Sequence, residues 1–148
     1  MSKIDQLLTH TSLLDGINPT LPATTRATQL QNRAAQAGFD WPHISQVMDK
    51  LAEEMAEIHV EINQGAHQGR MEDEIGDLMF VCINLARHAK VDPDAALRCA
   101  NAKFERRFRR IETLLALQGR APHQSTLEEM DTLWNQAKQE ENPSGVTS

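Results

Sequence analysis

The sequence predicts an all-α fold. Three observations carry this. Apolar residues recur at helical spacing over long stretches, no stretch makes a convincing strand, and the breaks fall on Pro and Gly. Aromatics are only 4% and Tyr is absent, so the core must come from Leu, Ile, Val, Met and Ala. That palette favours helices. The 148 residues suffice for one domain with a real core, and 40% hydrophobic with 24% charged is ordinary for a soluble globular protein.

The elements follow in order. Residues 1–20 read as an N-terminal arm, with Ile4, Leu7, Leu8, Leu13 and Leu14 as its apolar side, and Pro19 and Pro22 break the chain after it. Ala23 to Ala37 is helical in pattern, and Gly38 is a natural stop. Phe39 to Pro42 is a bulky connector. The next helix runs from about His43 to Gln64, with Val47, Leu51, Met55, Ile58 and Ile62 as an apolar stripe. Gly65 to Gly69 reads as a loop. The third helix, about Met71 to Lys90, is apolar over more than half its circumference, as expected of a helix central to a bundle. Asp92-Pro93 is an N-cap acid followed by Pro at the first helical position. The fourth helix reaches about Gln118, with Leu97, Phe104, Phe108, Ile111 and Leu115 as its buried stripe. Gly119 ends it. Thr126 with Glu129 makes a capping box for a last short helix carrying Leu127, Met130, Leu133 and Trp134. The expected domain is 21–137, and 138–148 reads as a disordered tail.

Charge and composition limit the function. A net charge of −6 excludes a polyanion binder that works by bulk electrostatics, so any phosphate site must be local. Cys82 and Cys99 lack CxxC spacing and read as reduced thiols in a cytoplasmic protein. No signal-like run opens the chain, and no stretch approaches the ~18 apolar residues of a membrane span.

Lys50 to Asp77 is the stretch with chemistry in it. Glu53, Glu54 and Glu57 share one helix face, and Glu61 falls in the same arc. Glu74 and Asp77 lie one turn apart on the following helix, flanked by Ile75, Leu78, Met79, Phe80 and Val81. Like charges this close repel. A solvated acidic face is the ordinary explanation of the first cluster alone. The second cluster changes that, because a carboxylate among apolar residues is costly unless paired or metal-bound. A hard cation with oxygen ligands answers both. On the fourth helix, Lys103, Arg107 and Arg110 form a basic row.

The order EExxE, spacer, ExxD, KxxxR resembles the MazG family of all-α nucleoside triphosphate pyrophosphohydrolases. GFDW at Gly38 to Trp41, GDLMF at Gly76 to Phe80, NLARH at Asn84 to His88 and NAKFERRFRRIE at Asn101 to Glu112 carry the likeness further, over roughly Leu21 to Trp134. The resemblance implies a MazG-like bundle of four main helices completed by dimerisation, in a homodimer or a higher homo-oligomer. It implies hydrolysis of nucleoside or deoxynucleoside triphosphates to monophosphate and pyrophosphate with Mg²⁺, for which Mn²⁺ can substitute. Metal ligands would be Glu54, Glu57, Glu74 and Asp77. Glu53 would hold a further metal-bound water or act as base. Lys103 and Arg107 would contact the triphosphate and stabilise charge on leaving pyrophosphate. Arg70 and Trp134 would lie near phosphates and nucleotide. Many relatives carry two such domains in tandem, and this chain reads as the second of them alone. The Gly65 to Gly69 spacer is short for some relatives.

Blander readings stand beside these. Lys103 and Arg107 could form a solvated basic stripe, and Arg106, Arg109 and Arg110 read as surface or subunit contacts. Asn84 could orient a ligand carboxylate or be a satisfied core residue; His88 reads as structural. Trp41 reads as core, and Trp134 as base-stacking or core alike. One rival function is a narrow-substrate pyrophosphohydrolase acting on dUTP, dCTP or phosphoribosyl-ATP. The other is a non-enzymatic helical module binding nucleic acid or a partner through Arg106 to Arg110. Glu105 and Glu112 interrupt that basic run and no aromatic platform interleaves with it, which disfavours nucleic acid.

Overall fold

A computed structural model describes residues 11–65 and 67–143. Among them are five α-helices and no strand: α1 Ala23–Gln36, α2 Ile44–Gln64, α3 Gln68–His88, α4 Pro93–Ala116 and α5 Leu127–Glu141, with one 3₁₀ turn at Pro122–Gln124. The all-α expectation is met. Two boundaries differ from it. α3 begins at Gln68, so the expected loop to Gly69 is shorter by two residues. The last helix is not short: it has 15 residues and runs through Lys138 to Glu141, inside the stretch read as a tail. Glu140 and Glu141 are held there by arginines of α4, a pairing 30 or more positions apart that local sequence does not display. The expected arm falls partly on residues 1–10, and the tail partly on 144–148, which lie outside the described residues.

The chain divides into two compact units within α4, between Ala95 and Ala96. In the first, α2 and α3 pack as a hairpin and α1 packs on α3. Gly65 makes the turn possible: it closes α2 with φ 68°, a left-handed conformation that a side chain disfavours. Gln31 ties α1 to α3 through Nε2, which donates to the Phe80 carbonyl at 2.9 Å. Arg33 holds the preceding segment by donating to the carbonyls of Leu13 and Asp15. The buried apolar residues here are Ile17, Val47 and Val81.

The α2 stripe is only partly core. Val47 is fully buried, but Met55 and Ile62 are 59% and 60% exposed. With Met48 they recur every seventh residue, so they share one exposed face. Ile75 and Met79 of α3 are exposed in the same way.

In the second unit, Ile111 and Leu115 of α4 and Ala137 of α5 are buried. Leu97 and Phe104, expected in the buried stripe, are exposed. Thr126 caps α5 as expected, accepting from the Glu129 amide at 3.2 Å. The box is half made, because the Glu129 carboxylate instead accepts from Arg120 at 2.6 Å and Ser125 at 2.7 Å. No described helix is long and apolar enough to cross a membrane.

Candidate active site

The α2–α3 hairpin brings the two acidic clusters together. One carboxylate oxygen from each of Glu54, Glu57 and Glu74 lies within 4.8 Å of the others. Glu54 and Glu57 come from one face of α2, and Glu74 from the facing turn of α3. Glu54 is buried, with 4% of its surface exposed. Its Oε1 accepts from Lys50 Nζ at 2.7 Å, and Lys50 also reaches Glu53 Oε1 at 3.1 Å. Its Oε2 is buried and has no hydrogen-bond partner. An orphaned anionic oxygen inside a protein is expensive. Partial burial, then the charges of Glu57, Glu54 and Glu61, push the Glu74 carboxyl above its ordinary pKa. These groups fit a hard divalent cation: the donor set is all oxygen, it is over-supplied with negative charge, and one buried oxygen lacks a partner.

The other expected residues are placed as follows. Asp77 is exposed and lines the same cleft as Glu54, but it is not one of the three whose oxygens converge. Glu53 is exposed beside Lys50. Arg70 pairs with Glu61 at 2.8 Å and so neutralises the buried acid in the last turns of α2. Lys103, in the second unit, is exposed. Arg107 is half-buried there: its Nε donates to Glu141 at 3.0 Å, and its guanidinium lies 5.4 Å from the centroid of the Trp134 ring. Trp134 is also half-buried, 5.6 Å from Phe104 and tilted by 45°. Arg106 and Arg110 pair with Glu141 and Glu140, and Arg109 pairs with Glu105.

Three features were not read from the sequence. Lys50 had a visible signal, since it stands three and four residues before Glu53 and Glu54, the spacing of helical ion pairs. Asp40 had none. Arg87, 47 positions away, grips it with two hydrogen bonds of 2.8 and 2.6 Å, and His88 Nε2 lies at 2.9 Å. The Arg87 guanidinium holds the Asp40 carboxyl well below the usual carboxylate range. Asn84, the buried candidate for orienting a ligand, accepts from Arg87 at 3.0 Å. The third feature is the cleft itself, about 700 Å³, which Lys50, Glu54 and Asp77 line together with Gln31, Trp41 and Phe80.

Residues 43–111 match the model of the MazG nucleotide pyrophosphohydrolase domain. The chain is 44% identical over 131 residues to a nucleoside triphosphate pyrophosphohydrolase of Escherichia coli strain K12, covering 88% of this chain and 50% of that protein. It is 37% identical over 127 residues to the nucleoside triphosphate pyrophosphohydrolase/pyrophosphatase MazG of Thermotoga maritima, covering 86% of this chain and 48% of that one. It is 40% identical over 141 residues to the uncharacterized protein YabN of Bacillus subtilis, covering 95% of this chain and 29% of the relative. The chain thus spans about half the length, or less, of the curated relatives it matches.

Proposed function

Through residues 43–111 this chain belongs to the MazG nucleotide pyrophosphohydrolase family, and we propose that it hydrolyses nucleoside triphosphates to the monophosphate and pyrophosphate in the presence of Mg²⁺. The observation that carries this is the convergence of Glu54, Glu57 and Glu74, with a buried oxygen of Glu54 left unpartnered.

Glu54, Glu57 and Glu74 would hold the cation, with Asp77 available from the same cleft. A bound Mg²⁺ supplies charge neutralisation and polarisation of the phosphate to be attacked. The chain's own residues do the rest. Lys50 fixes the rotamer of Glu54 through the 2.7 Å bond. Glu53 Oε1 is held by Lys50, which leaves Oε2 to take the proton of the attacking water. The water oxygen bonds to the α-phosphorus, the bond to the bridging oxygen breaks, and pyrophosphate leaves with that electron pair. Lys103 and Arg107 are proposed as phosphate contacts on the family resemblance. For Arg107 this requires release from Glu141.

The substrate class is tested directly. Purified protein is incubated with each of the common NTPs and dNTPs, with and without Mg²⁺, and both products are quantified. Equimolar monophosphate and pyrophosphate, dependent on metal, is the expected result. Orthophosphate as first product, or release unaffected by a chelator, sinks the proposal. A single accepted nucleotide identifies a narrow-substrate enzyme.

We also propose that the chain works as a homodimer or larger homo-oligomer. The exposed row Met48, Met55, Ile62 on α2, with Ile75 and Met79 on α3, is the support. Light scattering that returned a fully active monomer at low micromolar concentration would end this proposal. The two cysteines are free, which suits a reducing cytoplasm.

A further inference from the structure

The cleft of the first unit contains a polar atom that the chemistry above does not use. Gln31 lies on α1 and is 5% exposed. Its amide orientation is determined by its neighbour. The Phe80 carbonyl can only accept, so the group 2.9 Å from it is the NH₂ and the leftover atom is Oε1. Oε1 is buried and no side chain or backbone group donates to it. Gln31 lines the cleft of about 700 Å³ together with Leu30, Trp41 and Phe80, and the same cleft is lined by Lys50 and Glu54 of the carboxylate region. Gln31 lines the cleft and its buried carbonyl oxygen lacks a donor, so a ligand seated there is the group able to supply one.

We propose that Gln31 Oε1 reads the nucleobase, accepting a hydrogen bond from the exocyclic amine of an adenine or cytosine. This rests on the nucleotide reading given above and adds to it the residue that discriminates among bases. A sugar hydroxyl is the other donor a nucleotide could offer. The apolar lining favours the base: Leu30, Trp41 and Phe80 suit the face of a flat ring better than a hydroxylated sugar. An acceptor built this way rejects analogues that lack the donor, because they leave it unpaired in a closed site.

The test uses two matched pairs: ATP against purine riboside triphosphate, and CTP against the 2-pyrimidinone riboside triphosphate. In each pair the second member lacks the exocyclic amine. Dissociation constants are measured by calorimetry with Ca²⁺ in place of Mg²⁺, and kcat/KM by pyrophosphate release with Mg²⁺. At least one pair should show tighter binding of the amine-bearing member by about tenfold. In Gln31→Met, which keeps the volume and removes the oxygen, the ratio should fall to about one. Equal binding within both pairs in the unaltered protein overturns the inference even if the variant does not fold. A ratio that persists in a folded Gln31→Met overturns it too. If the variant instead erases a preference for ATP over its 2′-deoxy or 3′-deoxy forms, the donor is a hydroxyl and the assignment to the base is wrong. Absence of pyrophosphate release from every nucleotide would sink the activity reading, and the binding ratios would then decide the role of Gln31 alone.

Discussion

Each unit holds a charged cluster, acidic in the first and basic in the second, and the two treat their clusters in opposite ways. On α2 and α3, Glu54, Glu57 and Glu74 point oxygens at one another, and the buried Oε2 of Glu54 has no partner. On α4 and α5, Arg106, Arg107 and Arg110 are each paired with a carboxylate, Glu141 or Glu140, at 2.6 to 3.0 Å. Paired charge is a means of joining two helices, because each partner satisfies the other. Converging like charge stabilises nothing by itself and destabilises the chain that carries it. The difference teaches which cluster is to be read as a ligand site. It also separates what mutation should do: acids of the first unit should cost activity, and arginines of the second should cost stability.

The largest effect tests the first half of that division. Glu54→Gln, Glu57→Gln and Glu74→Gln should each lose most of the pyrophosphate release, about 100-fold or more, since Mg²⁺ holds few protein ligands. Their metal-free melting temperatures should hold or rise, because repulsion is relieved. Asp77→Asn sharpens the comparison. Its oxygen stands outside the converging three, so a loss as deep as theirs would show that it enters the metal's shell on loading. Two of the three Glu variants retaining near-normal turnover at saturating Mg²⁺ would break the assignment.

Next in size is Trp134→Ala. The indole packs on Phe104 and under Arg107, so its removal should cost about 1–3 kcal/mol, below the range for truncation of a core aromatic because the ring is only half-buried. Thermal and urea denaturation measure this. A rise in KM across nucleotides with an unchanged melting temperature would return Trp134 to the nucleotide site. Glu141→Gln separates the two roles of Arg107. Arg106 and Arg107 pull the Glu141 carboxyl down to about 2, so at neutral pH it is fully charged and holds both. If Arg107 serves phosphates, releasing it should raise kcat/KM; if it only joins helices, Glu141→Gln should loosen α5 and leave kcat/KM alone.

Much of this was legible in the sequence, for local reasons. The helices are written in spacing and caps, as in Asp92-Pro93, where Asp92 Oδ1 accepts from the Asp94 amide at 3.0 Å. The acids are legible because like charges at helical spacing need a reason. What could not be read is what depends on distant partners. Met55 and Ile62 have core spacing, yet both are exposed. Asp40 looks like a connector residue until α3 supplies Arg87. Gln31 looks like an ordinary polar helix residue until burial removes its water.

Asp40 is the counter-example within the first unit, an acid that is paired and structural. Asp40→Asn should cost about 1–2 kcal/mol at neutral pH, the range for a hydrogen bond to a charged group with some solvent screening. The folded pKa is depressed, so this stability is present above the ordinary Asp value and is lost as pH falls through the folded one. The gap between wild type and variant in urea unfolding should therefore persist from pH 7 down to about 4 and close only in stronger acid. A gap that instead opened on acidification would contradict the pairing.

The smallest effect belongs to Arg109, and it marks where pairing stops contributing. Arg109 bonds Glu105 at 2.7 Å, as short as the contacts of its neighbours, but both side chains are exposed, at 73% and 64%. The pair lies within α4, one turn apart, so it joins no second helix. Water competes for both groups, and ordering two long side chains offsets most of the Coulomb gain. Arg107, with the same kind of bond to Glu141, is 11% exposed and reaches across to α5. Geometry at the bond is therefore not what distinguishes them; burial and connectivity are. Arg109→Ala should change stability by less than about 0.5 kcal/mol and leave the salt dependence of unfolding nearly unchanged, whereas Arg107→Ala should lower stability clearly. If Arg109→Ala proved as destabilising as Arg107→Ala, the arginine row would have to act as one network, and the contrast between exposed and half-buried pairs would fail.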